Sequence, residues 1–203
     1  MYPTPEPREV QDCGPRSPDE TPRSVDEVTC RPIRPDDAAR LLRMFPRLSG
    51  ETLYRRFFSP VVAPDLKRIR YLCEVDHDQR EALVALVDDE IIGVARYDRD
   101  PDDPRKAEVA VLVEDAWQGH GVGRFLMRRL GEHAVASGVR WFDADVLASN
   151  EAPVRLARAA APMVKVSFVD GETHLDIPLE IPLERAAERS SRPRSIPPVR
   201  TAG

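Results

Sequence analysis

The sequence predicts an α/β (α+β) protein: a mixed, mostly antiparallel sheet flanked by helices, between disordered N- and C-terminal tails. Three observations lead there. Ala82-Leu83-Val84-Ala85-Leu86-Val87 and Ile91-Ile92-Gly93-Val94-Ala95-Arg96-Tyr97 are apolar runs joined by Asp88-Asp89-Glu90, the pattern of an antiparallel hairpin. A second apolar run, residues 107–114, leads through a glycine-rich turn into a helical periodicity carried by Val122, Phe125, Leu126, Leu130, His133 and Ala134. The chain has 203 residues and 20 prolines, and the prolines crowd at the two ends, leaving a single core between them.

The elements follow in order. Residues 1–27, with Tyr2-Pro3-Thr4-Pro5-Glu6-Pro7, have too little apolar content to offset ordering entropy and read as a disordered tail. Residues 28–34 form a short strand whose prolines mark an edge. Pro35-Asp36-Asp37 opens a helix with the stripe Ala38, Leu41, Leu42 and Phe45. Ser49 caps a second helix bearing Leu53, Tyr54 and Phe57, and Pro64-Asp65-Leu66 starts a third with Ile69 and Leu72-Cys73. The hairpin comes next, then a polar loop over residues 98–106. The helix after the glycine turn closes at Ser137-Gly138. Residues 139–147 are a strand, residues 150–160 an alanine-rich helix, and residues 163–177 a last hairpin turning at Asp170-Gly171. The folded domain is expected over 28–180, and residues 181–203 read as a second, basic tail of Pro, Arg and Ser.

Composition narrows the partners. The formal net charge of −5 argues against nucleic acid. No apolar run reaches membrane-spanning length, and no signal-like apolar segment follows Met1. Cys13, Cys30 and Cys73 are odd in number and lack metal-ligand spacing, which fits a reducing, cytoplasmic setting and predicts no metal site.

The chemistry centres on Gln118-Gly119-His120-Gly121-Val122-Gly123-Arg124. A helix start presents unpaired N–H groups and the positive end of the helix dipole, and glycine lets backbone approach an anion closely. No lysine or Ser/Thr follows Gly123 to grip a terminal phosphate and magnesium, so the turn suits a pyrophosphate held by backbone. The strand, the Q-x-x-G-x-G turn and the helix resemble the acetyl-CoA signature of the GNAT N-acetyltransferases, and the order of elements over residues 28–180 coincides with theirs. A narrower resemblance lies in Ile33-Arg34-Pro35-Asp36-Asp37, in Leu53-Tyr54-Arg55-Arg56-Phe57-Phe58-Ser59-Pro60, and in Glu74-Val75-Asp76-His77 followed by Ala82-Leu83-Val84-Ala85. These resemble the acetyltransferase domain of bacterial Pat-type protein lysine acetyltransferases.

Acetyl transfer from a thioester to an amine needs a neutral amine, and a lysine at pH 7 must lose about three pKa units, roughly 4 kcal/mol, before it attacks. Glu108 is the candidate base. Alternation puts it on one strand face with Ala110 and Leu112, opposite Val109, Val111 and Val113, and burial in that strand is expected to raise its pKa. The alternative is a solvated acid or a structural ion pair. Glu114 reads as a cap or solvated acid, and His77, between Asp76 and Asp78, as a solvated loop histidine or a second base candidate.

The resemblance implies that Val111, Leu112 and Val113 offer free backbone groups to the pantetheine arm and thioester oxygen of acetyl-CoA. It also implies that N–H groups from Gly119 to Arg124, His120 and Val122 included, take the pyrophosphate. Asn150 reads either as a pantetheine contact or as a helix N-cap. Many GNATs place a tyrosine about seven residues later as general acid; here Ala157 stands there. The first reading is therefore a lysine Nε-acetyltransferase acting on a protein with an exposed lysine, such as an acyl-CoA synthetase. A small-amine acetyltransferase and a CoA-binding protein without turnover are its rivals.

Overall fold

The computed structural model describes residues 24–59, 64–161, 163–169 and 171–179. Most of both expected tails, residues 1–23 and 180–203, lies outside the described residues. The fold begins earlier than expected, since Ser24 caps a 3-10 turn over Val25–Glu27 by accepting from the Asp26 N–H.

Strand β1 (Thr29–Pro32) precedes helices α1 (Ala38–Met44), α2 (Gly50–Phe57) and α3 (Leu66–Cys73). Strands β2 (Arg80–Val87), β3 (Glu90–Arg99) and β4 (Lys106–Val113) follow, then helix α4 (Val122–Ala136). Strand β5 (Trp141–Leu147), helix α5 (Glu151–Ala160) and strands β6 (Lys165–Val169) and β7 (Glu172–Pro178) complete it. The seven strands form one sheet in the order β1-β2-β3-β4-β5-β7-β6, antiparallel everywhere except between β4 and β5.

The local causes are visible. Asp88 and Asp89 both take positive φ, at 50° and 62°, so the β2–β3 turn has the twist that suits a two-residue hairpin. Each helix α2 and α3 starts on a side-chain cap: Ser49 accepts from Thr52 N–H and Asp65 from Arg68 N–H. From Ala82 to Val87 strand β2 is apolar without alternation because it is buried on both faces. Leu83 and Ala85 join Leu126, Leu130 and Ala134 of α4, while Ala82 and Val84 join Ile33, Leu41, Met44 and Ile69 on the α1–α3 side. Burying Leu126 and Leu130 fully contributes roughly 2 kcal/mol each.

Two features position the site. At Gly93 a Cβ would meet Leu126 Cδ1 at 3.1 Å and the Leu112 carbonyl at 3.3 Å, so glycine lets the start of α4 press onto β3. Strand β4 pairs with β3 from Ala107 to Val113 but with β5 only from Lys106 to Glu108. Beyond Glu108 strand β5 stays with β7, and among the described residues β4 has no strand partner on that edge.

Candidate active site

A cavity of about 510 Å³ opens where β4 and β5 part. Its floor is β4 from Glu108 to Val113, and the start of α4 and one side of α5 form its walls. Residues of α2 reach over the fourth side through Thr52, Arg55, Arg56 and Phe58. The strand alternation holds: Val109, Val111 and Val113 belong to the α4-side core, and Leu112 to the opposite one.

At one end lies the turn before α4. Gly119 and Gly121 have φ of 79° and 86°, a region that side chains with a Cβ rarely adopt, and both line the cavity with Gly123 and Arg124. The first bond of the helix runs from Phe125 N–H to the Gly121 carbonyl at 2.9 Å. The N–H groups of Val122, Gly123 and Arg124 therefore precede any intrahelical acceptor, an arrangement suited to an anion. The Val122 side chain points into the core at 1% exposure, so only its backbone is available to the turn. His120 sits on the surface with its ring edge-on to Trp117, at 6.5 Å between centroids.

Gln118 is tied into the frame. Its Nε2 donates to Thr52 Oγ1 and to the Val113 carbonyl, each at 3.1 Å. Thr52 Oγ1 in turn donates to Asp115 at 2.9 Å, and Asp115 also accepts from the Ser49 hydroxyl and N–H at 2.6 and 2.9 Å. This network joins α2, the end of β4 and the turn. Burial opposes the charge of Asp115, but these donors outweigh it and hold its carboxyl below the ordinary range.

At the other end lies Glu108. The expected burial is not found: the side chain is exposed and faces the cavity. Alternation correctly placed it opposite Val109, but the β4–β5 parting uncovers its face. Glu108 stands in register with Asp98 on β3 and Asp143 on β5. Burial, partly offset by His174, pushes the Asp143 carboxyl above the usual range, helped by the nearby charges of Asp100 and Asp145.

The other candidates separate. Glu114 is no solvated acid: it is 6% exposed and accepts from Arg47 Nε at 3.0 Å. His77 lies outside the cavity, its Nδ1 2.8 Å from the buried carboxylate of Glu81. Asn150 is buried, lines the cavity and stands at the N-cap position of α5, where its side chain makes no capping bond. Ala157 forms part of the wall, and no tyrosine lines the cavity among the described residues. Sequence reasoning missed Arg56 as a cavity residue, although the Arg55-Arg56-Phe57-Phe58 run stood out. Among the described residues no group of His, Cys, Asp and Glu is arranged to hold a metal ion.

The pattern of the Acetyltransferase (GNAT) family matches residues 49–160. Over 151 residues the chain is 37% identical to the acetyltransferase Pat of Mycolicibacterium smegmatis, covering 73% of this chain and 45% of that protein. It is 33% identical over 129 residues to the acetyltransferase PA5475 of Pseudomonas aeruginosa, covering 62% of this chain and 69% of the other. Among solved structures, the GNAT domain of S. lividans PAT superposes with a TM-score of 0.69 at 33% identity, over 75% of this chain and 90% of that one. The chain belongs to the GNAT acetyltransferase family, enzymes whose cosubstrate is acetyl-CoA. It spans about 45% of the length of the Mycolicibacterium relative.

Proposed function

We propose that this chain transfers the acetyl group of acetyl-CoA to a lysine ε-amine of a protein in the cytoplasm, with Glu108 as general base. The observation that carries the reading is the exposed carboxylate of Glu108 at the last paired rung of β4 and β5, where the open edge of β4 begins. The likeness to Pat-type proteins supports a protein lysine as acceptor.

In this reading the start of α4 takes the pyrophosphate through N–H groups of residues 119–124, and Gln118 braces the turn. The open backbone of Val111, Leu112 and Val113 holds the pantetheine arm and the thioester oxygen, with Asn150 on the opposite wall. Acetyl-CoA supplies an activated carbonyl and a thiolate leaving group. Glu108 accepts the proton as the amine nitrogen bonds to the carbonyl carbon, and backbone donors of β4 offset the charge that develops on the oxygen. The C–S bond then breaks. With alanine at 157 no side-chain acid is supplied there, and a CoA thiolate leaves without one near neutral pH.

A small-molecule amine would use the same machinery. Acetyl-labelled acetyl-CoA in a cell extract that retains its small molecules separates the two. Label in a discrete protein band supports the protein lysine reading; label confined to small molecules contradicts it.

A further inference from the structure

Among the described residues, Arg56 is the half-buried arginine whose guanidinium has neither a hydrogen bond nor an ion pair. Every other buried or half-buried arginine is held by a carboxylate or by backbone carbonyls, as Arg31 is by Asp37 and Arg140 by the Val135 and Val139 carbonyls. The adjacent Arg55 is exposed at the edge of the cavity and pairs with Glu51 one turn back. Helix α2 thus brings two arginines to the cavity, Arg55 exposed and held by Glu51, and Arg56 half-buried, its guanidinium 5.1 Å from the centre of the Phe57 ring.

That position is electrostatically unfavourable without a ligand. Burial depresses the Arg56 pKa, and the charge of Arg96 adds to the effect, while Glu108 and Asp98 oppose it. Arg96 already pairs with Asp98, at 3.3 Å. Glu108 is not within ion-pair distance of Arg56. An arginine remains charged under such conditions, and an unpaired charge removed from water is costly unless an anion arrives. Its charged neighbours also locate it: Glu108 lines the cavity, Asp98 stands in register with Glu108 on β3, and Arg96 lies two residues from Asp98 on the same strand.

We propose that Arg56 is a subsite for a carboxylate carried by a substrate, beside Glu108 and away from the phosphate turn. The guanidinium fork matches a carboxylate with two parallel hydrogen bonds. Two sources would bring that group to the same place: the free end of a dicarboxylic acyl thioester, or an acidic group next to the reactive amine of the acceptor. The inference rests on the acyl-transfer reading of this cavity.

The test has two arms, each read as a dissociation constant by calorimetry and as kcat/KM. One compares succinyl-CoA with acetyl-CoA. The other compares a lysine peptide carrying Glu beside the lysine with the same peptide carrying Gln, titrated into the CoA complex. The wild-type chain should favour the carboxylate in one arm by about tenfold, roughly 1.4 kcal/mol. Arg56→Gln should bring that ratio close to one, and Arg56→Lys should keep part of it. Equal wild-type constants in both arms overturn the subsite without any variant. A loss of affinity in Arg56→Gln that is the same for CoA, acetyl-CoA and succinyl-CoA assigns the residue to the phosphates instead and also overturns it. If no amine is acylated, the acyl-transfer reading fails, while the binding ratios still decide the subsite.

Discussion

Gly121 and Thr52 show how single residues shape the end of the cavity where we propose that the pyrophosphate binds. A Cβ at Gly121 would meet nothing within 4 Å, so the cost of Gly121→Ala is conformational and comes from φ at +86°. That cost is about 1–2 kcal/mol. We expect the acetyl-CoA KM to rise roughly tenfold, because the cost is recovered by tilting the turn and its N–H groups. Unchanged KM and thermal midpoint would contradict this account of the turn. Thr52 acts through its neighbours, taking the Gln118 amide and giving its proton to Asp115. Thr52→Val should remove one hydrogen bond from each, leaving Gln118 on the Val113 carbonyl and Asp115 on Ser49, and cost about 1 kcal/mol of stability. A thermal midpoint equal to that of the wild type would show that the network is not needed.

At the scale of elements, most of the architecture was legible in the sequence. Period and turn chemistry located the strands and helices, and Asp88-Asp89 announced the hairpin that sets β2 against β3. What escaped was whether a strand face is covered. Alternation put Glu108 on the right face of β4, yet burial depends on β5, which keeps its register with β7 and leaves β4 after Glu108. Glu114 was misread for a related reason, since its partner Arg47 comes from 67 residues away and no local pattern announces such a contact. Arg56 belongs with these: α2 carries Leu53 and Phe57 toward the core, and only the tertiary placement of α2 leaves Arg56 half-buried and unpaired while Arg55 is exposed and held by Glu51.

For the whole molecule, carboxylates held by hydrogen bonds and ion pairs govern the response to acid. Asp37 is fully buried, which disfavours its charge, but hydrogen bonds from Arg31 at 2.6 and 2.7 Å and from the Arg34 N–H at 2.9 Å outweigh this. Its carboxyl is held below the ordinary range, as are those of Asp115 and Glu90. A depressed folded pKa gives stability that is present above the unfolded value near 4 and is lost as pH falls through the folded value. The thermal midpoint should therefore stay level from pH 7 to about 5 and drop below about 4. Asp37→Asn should flatten part of that drop. Asp143 acts in the opposite sense, because its raised carboxyl is relieved by acid. A midpoint that holds to pH 3 would contradict this assignment of the ion pairs.

The proposed function of the molecule as a whole turns on Glu108, and the most direct test is the pH dependence of acetyl transfer by the wild type and by Glu108→Gln with a lysine acceptor. General base catalysis predicts a fall of about 10²–10⁴ in kcat near neutral pH, with acetyl-CoA affinity retained and the deficit shrinking as high pH deprotonates the amine. An unchanged rate at every pH would contradict the account.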